Sequence, residues 1–234
     1  MASIEMIGFL AFQFFGKRRG ILVQGFIGGF ISSTMIYIQF GEASKMSAYS
    51  SRDVVGGLIL STIAMLSLSV LLVITLSSRD DFYLTYPFLM QIVGLFFCLF
   101  LITSLTPATK SKSEENIFYI EDPIIWKNVL KFTFFLTSIT FGLKWLTNLI
   151  PDSYLISSFV ISLFESHAVL AAFLSNIETV GDHFNPKLIV SLILLGSLIS
   201  KIFLISRSKM NGIKKPVYLS LIGSFLLSLT AYLF

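Results

Sequence analysis

The chain has 234 residues, of which 55% are hydrophobic and only 13% charged, with a formal net charge of +4. An ordinary soluble domain is about 25% charged, so a water-facing surface of normal extent is excluded. The basic residues stand in short clusters between apolar runs, which excludes a nucleic-acid partner and leaves the lipid bilayer as the partner the composition implies.

Mean hydropathy is +0.84, and the apolar residues are spread along the whole length. No separate soluble domain is expected, and residues 1–234 read as one integral membrane domain. A helix rises about 1.5 Å per residue and the hydrocarbon core is about 30 Å thick, so each crossing needs about 20 apolar residues. Lipid offers nothing to an unpaired backbone group, and the alternating pattern of a membrane barrel is missing. The expected fold is therefore all-α, a polytopic transmembrane bundle of eight spans.

The first predicted span runs from Ala2 to Gly16 and is short. Its apolar part, Ile7 to Phe15, follows Glu5 and lacks a positive leading segment, so it reads as a short span or half-span and not as a cleaved signal peptide. Lys17, Arg18, Arg19 and Gly20 follow as a loop, and span two runs from Ile21 to Phe40. Gly25, Gly29 and Ser33 recur every four residues there, a small-residue face that allows close backbone approach. Ser32, Ser33 and Thr34 add hydroxyls that are candidates for lining a solute path.

After a loop from Gly41 to Asp53 come span three, Val54 to Ser77, and span four, Leu84 to Pro107. Arg79, Asp80 and Asp81 separate them. The connection from Ala108 to Asp122 is too short for a domain, and span five runs from Ile125 to Leu149. Trp126, Trp145, Tyr83, Tyr86 and Tyr154 fall near predicted ends, as an aromatic belt requires.

Span six, Tyr154 to Ile177, carries Glu165 and His167 near its centre. An ionisable group at that depth is costly and marks a functional site by default. Residues two apart on a regular helix point about 200° from each other, so both face one site only where the helix is broken. Packing between helices is the alternative role for Glu165.

Span seven, Leu188 to Ser206, holds Ser197 and Lys201, with Gly196 and Ser200 as a small pair; span eight runs from Pro216 to Phe234. Lys201 lies close enough to its span end for its side chain to snorkel to the headgroups. The alternative is a counter-charge for Glu165 inside the bundle. Gln13, Gln24, Gln39 and Gln91 are read as bonds between helices.

Alternate loops differ in Lys and Arg. Those after spans one, three, five and seven hold Lys17, Arg18, Arg19, Arg79, Arg207, Lys209, Lys214 and Lys215, and the others hold Lys45, Arg52, Lys110, Lys112 and Lys187. The richer set belongs in the cytoplasm, which puts both termini outside it if all eight stretches cross. Sliding the chain by 133 lays Ser32 over Glu165 and spans one to four over spans five to eight. That suggests a 4+4 tandem repeat, residues 1–120 and 121–234, with halves related by an axis along the membrane normal.

Gly16-Lys17-Arg18-Arg19-Gly20, Gly25, Gly28-Gly29 and Ser32-Ser33-Thr34 together resemble the uncharacterised membrane domain that follows the MgtC/SapB domain in long bacterial MgtC/SapB-family proteins. Asp122-Pro123 through Lys127 looks like the start of that domain's fifth span. Glu165-x-His167-Ala168 falls where the family usually shows Asp-x-Asp-Ala, and Ser197 and Lys201 fall where it shows Asn and Lys. An Arg typical of its third span is missing around Leu66 to Ser69, and the MgtC domain itself is not in this sequence. The resemblance implies a membrane fold in the bacterial cytoplasmic (inner) membrane. It implies no agreed activity.

These readings converge on a small-solute or ion transporter or channel, with its path between spans two, three, six and seven. Glu165 and His167 are expected to bind the ion or relay a proton, Ser32, Ser33, Thr34 and Ser197 to line the path, and Lys201 to tune its charge. The other class is a non-transporting regulatory or scaffold protein that meets a second copy or another membrane protein through small-residue helix faces. Soluble-enzyme motifs are missing from the sequence, so no catalytic residue or cofactor is expected, and no metal is assigned. Acid/base work on lipid by Glu165 and His167 is the third and weakest reading.

Overall fold

A computed structural model describes residues 2–43, 50–105, 154–177, 184–208 and 211–231, with isolated helical positions 134, 137, 138 and 141. Predicted span five otherwise lies outside the described residues. Among the described residues there is no strand, and the helices are α1 (Ala2–Ala43), α2 (Ser51–Leu76), α3 (Tyr86–Leu105), α4 (Tyr154–Ser162), α5 (Ser166–Leu174), α6 (Pro186–Arg207) and α7 (Asn211–Thr230). A 3-10 turn, Arg79–Thr85, joins α2 to α3. Predicted span eight thus begins earlier than expected, with Pro216 inside α7.

The chain is an all-α integral membrane protein. Among the described residues, four helical stretches are long and apolar enough to cross a bilayer: Arg19–Gly41, Ser51–Leu76, Asp81–Ser104 and Pro186–Arg207. Length alone misreads the first of these. Gln24 Nε2 donates to Gln39 Oε1 at 3.1 Å, although 15 residues of straight helix would hold them about 22 Å apart. The chain reverses at Ser32, where φ is −163° and ψ is 107°.

Contacts along α2 trace the reversal. Gly25 lies on Gly57 and Gly29 on Ser61; Ser33 reaches Met65, Tyr37 returns to Thr62 and Phe40 to Gly57. Predicted span two is therefore a re-entrant hairpin with its tip at Ser32–Thr34. An earlier break at Gly16, with φ 72° and ψ 174°, separates it from the N-terminal segment, in a region of backbone space that essentially only glycine adopts.

Predicted span six is broken as well, between α4 and α5, with Glu165 extended at φ −144° and ψ 90°. Tyr154 stacks on Phe184, ring centroids 6.4 Å apart. A straight helix from Tyr154 to Ile177 would be about 34 Å long, whereas the residues from Ile177 to Phe184 reach about 25 Å at most when extended. The break at Glu165 and the Tyr154–Phe184 stack are met together by a chain that folds back here too. α4 and α5 form a second hairpin, with its tip at residues 163–165.

The four long helices fix the directions. α2 starts at what we term the near face of the bundle and ends at the far face. Arg52 donates to the carbonyl of Thr103, so α3 returns to the near face. Lys187 lies over the Tyr83 ring, so α6 starts at the far face, and Gly41 meets Ser208 at its near end. Gly212 lies by Ser51, so α7 starts at the near face. α6 is thus antiparallel to α2. The expected axis along the membrane normal does not fit, because it would make these two equivalent helices parallel.

The hairpins enter from opposite faces. The core between them is closed by Ile36, Tyr37, Leu58, Ile59, Phe173, Ile189 and Ile193, all buried. Outside, α3 presents Val93, Phe96, Phe97 and Phe100 and α7 presents Leu219 and Leu226, all exposed. Such a continuous apolar belt belongs against lipid.

Candidate functional site

Both hairpin tips end on the middle of α2. A small cavity there is lined by Ser32, Ser33, Thr34, Met65, Phe164, Glu165, Ser166 and His167 and holds about one water-sized particle. The local sequence explains the tips. Ser32 Oγ accepts from the Met35 N–H at 3.4 Å, capping the returning arm of the first hairpin. In the second, the N–H groups of Phe164 and Glu165 both bond the Ile161 carbonyl at 2.9 Å, which closes the end of the incoming arm.

The break at Glu165 meets the condition the sequence set for Glu165 and His167 to share a site. His167 Nε2 lies 2.9 Å from the Met65 carbonyl, which can only accept, so this nitrogen carries hydrogen. His167 Nδ1 then faces Glu165 Oε1 at 3.5 Å, and that contact is attractive when a proton stands between them. The His167 side chain is 14% exposed and that of Glu165 36%, so the carboxylate is the wetter member.

Ser197 and Lys201 lie behind Met65. Lys201 is 2% exposed, so the snorkelling expectation fails and the side chain turns into the bundle. Its Nζ donates to Ser197 Oγ and to Met65 Sδ at 3.3 Å, and lies 6.0 Å from the centre of the Tyr37 ring. Among the described residues it makes no ion-pair contact, although the Glu165 carboxylate acts on it electrostatically from a longer distance.

All seven candidates from the sequence therefore converge: Ser32, Ser33, Thr34, Glu165 and His167 on the cavity, and Ser197 and Lys201 through Met65. Sequence reasoning missed Met65. Its Sδ accepts from Ser33 Oγ at 3.1 Å, Lys201 Nζ at 3.3 Å, and Ser166 Oγ and Ser197 Oγ at 3.6 Å each. A methionine in an apolar run gives no sign of such a role in the sequence.

The small-residue face of span two is used within the chain. A Cβ on Gly25 would stand 2.8 Å from the Gly57 carbonyl carbon, and one on Gly29 2.6 Å from Ser61 Cα. At the other hairpin, a Cβ on Gly196 would strike Ser162 Oγ and stand 3.0 Å from the Phe159 carbonyl oxygen. These faces bring each hairpin against its long helix.

Fold and site together define a polytopic helical membrane protein with two opposed re-entrant hairpins whose tips enclose a polar centre. The chain belongs to the family defined by the domain of unknown function DUF4010, whose model matches residues 1–208. No characterised protein and no solved structure matches it.

Proposed function

We propose that this protein is a transporter or channel for a small solute or ion, with its path where the hairpin tips meet. One observation carries the reading: two helices break at the same depth, and their polar tips share a cavity inside the bundle. Non-helical backbone is tolerated at membrane depth where it is buried in protein or lines a hydrated cavity, and broken helices that meet near the midplane are a recurrent way to build a transport site.

An internal repeat supports the same reading. The slide of 133 residues pairs Ser32 with Glu165, the extended residue at each tip. It also pairs Gly29 with Ser162, the contact points of each hairpin on its long helix. With α2 and α6 antiparallel, the two units are inverted repeats about an axis in the membrane plane, each with one re-entrant hairpin.

Orientation follows from charge. Arg19, Arg52, Arg207, Lys214 and Lys215 lie at near-face helix ends, whereas Arg79 and Lys187 lie at the far face. The near face is cytoplasmic and the end of α7 extracytoplasmic. The earlier alternate-loop count misassigns Arg52, because a re-entrant hairpin leaves the loops on either side of it on one face. The resemblance to the MgtC/SapB-associated membrane domain favours the bacterial cytoplasmic membrane.

The scaffold reading loses its main support, since the small-residue face proposed for a partner is covered by α2. The test is ion and solute flux in proteoliposomes, with Glu165→Gln and His167→Ala beside the parent. The expected result is loss of most flux in both variants. Parental flux in both would refute the assignment.

A further inference from the structure

Met65 Sδ sits where several donors converge. Ser33, Ser166 and Ser197 contribute hydroxyls and Lys201 an ammonium, from both hairpins and α6. A thioether is a weak acceptor and has no charge to offer a buried cation. Hydroxyls can turn to accept, but an ammonium cannot.

Lys201 is the member that fixes the sign of the solute. It is buried, its two hydrogen-bond acceptors are neutral, and the one acid that acts on it electrostatically, Glu165, lies beyond ion-pair distance on the cavity side, where it contacts His167. A buried charge is stable when paired and hydrogen-bonded. A metal cation placed at the sulfur would meet the ammonium head on, whereas an anion there would receive it as a counter-charge together with the hydroxyls.

We propose that the Met65 sulfur holds the place of a small monovalent anion, halide-like in size, and that this anion is the solute handled at the hairpin tips. The second half of this statement rests on the transport reading above; the first half does not. Methionine is unbranched and flexible, and the water-sized cavity beside it gives its thioether somewhere to go. A chloride ion is close to a thioether sulfur in radius and can take its position among the same donors. A tetrahedral oxyanion needs more room than the sulfur vacates, and a divalent one needs more than one ammonium.

The test uses the purified full-length chain in detergent, titrated with sodium chloride against sodium gluconate at constant ionic strength, with the thermal unfolding midpoint as readout. The expected result is a saturable rise with chloride that is lost in Lys201→Gln. Met65→Ala, which removes the competing sulfur, should show a half-saturating chloride concentration about tenfold lower. It also keeps the test decisive if Lys201→Gln does not fold. A midpoint indifferent to chloride in the parent and in Met65→Ala would overturn the site, as would an equal rise in Lys201→Gln and the parent.

Radioactive chloride uptake by proteoliposomes separates the two claims. Lys201-dependent chloride binding without uptake would uphold the site and refute transport of the anion. Flux of another ion that depends on Glu165, without chloride binding, would overturn the anion site and leave the transport reading intact.

Discussion

Replacing Gly29 with Ala tests how the first hairpin is held. The added Cβ would stand 2.6 Å from Ser61 Cα, against the 3.4 Å at which ordinary contact begins. The neighbour is backbone, so no side chain can swing aside and the helices must part by about 1 Å, an overpacking that costs about 1–3 kcal/mol. Ser33 lies one turn further on, and the same displacement would take its hydroxyl out of the 3.1 Å contact with Met65 Sδ. Gly223→Ala is the control, since nothing lies within 4 Å of that position and alanine there gains up to about 1 kcal/mol of helix propensity. Thermal denaturation in detergent, followed by size-exclusion of the surviving monodisperse protein, should show a lower midpoint for Gly29→Ala and an equal or higher one for Gly223→Ala. A Gly29→Ala protein as stable as the parent would refute the close crossing of α1 and α2.

Further expectations follow from the backbone and the topology. Gly16→Ala should lose about 1–3 kcal/mol of stability, because φ of 72° with ψ of 174° suits glycine alone; an unchanged midpoint would remove the break. In a Cys98→Ser background, Arg19→Cys and Ser50→Cys should react with an impermeant maleimide from the same side of the membrane, and Ser78→Cys from the other. Labelling of Arg19→Cys and Ser50→Cys from opposite sides would restore a crossing helix and refute the hairpin.

The helical membrane fold was legible because long apolar runs partition into lipid whatever their path. Hydropathy carries no direction, however, so the stretch Arg19–Gly41 reads as a span although it turns back at Ser32. The second break was foreseen only as a condition, through the two-residue spacing of Glu165 and His167. The register of 133 residues proposed a repeat without its orientation, because that depends on whether each hairpin crosses. Lys201 was misplaced for a related reason: distance to the span end speaks for snorkelling, and only the packed structure shows which face of the helix the side chain occupies.

The reversal at Ser32 also bears on biogenesis. The hairpin leaves the ribosome before α2, the helix that covers its small-residue face, just as the α4–α5 hairpin precedes α6. By length and composition the 23 residues Arg19–Gly41 are apolar enough to cross a bilayer, so their own sequence does not oppose a full crossing before α2 is made. Its small-residue face is covered only once α2 has been made, so the packing that holds the hairpin is completed after the hairpin itself is synthesised.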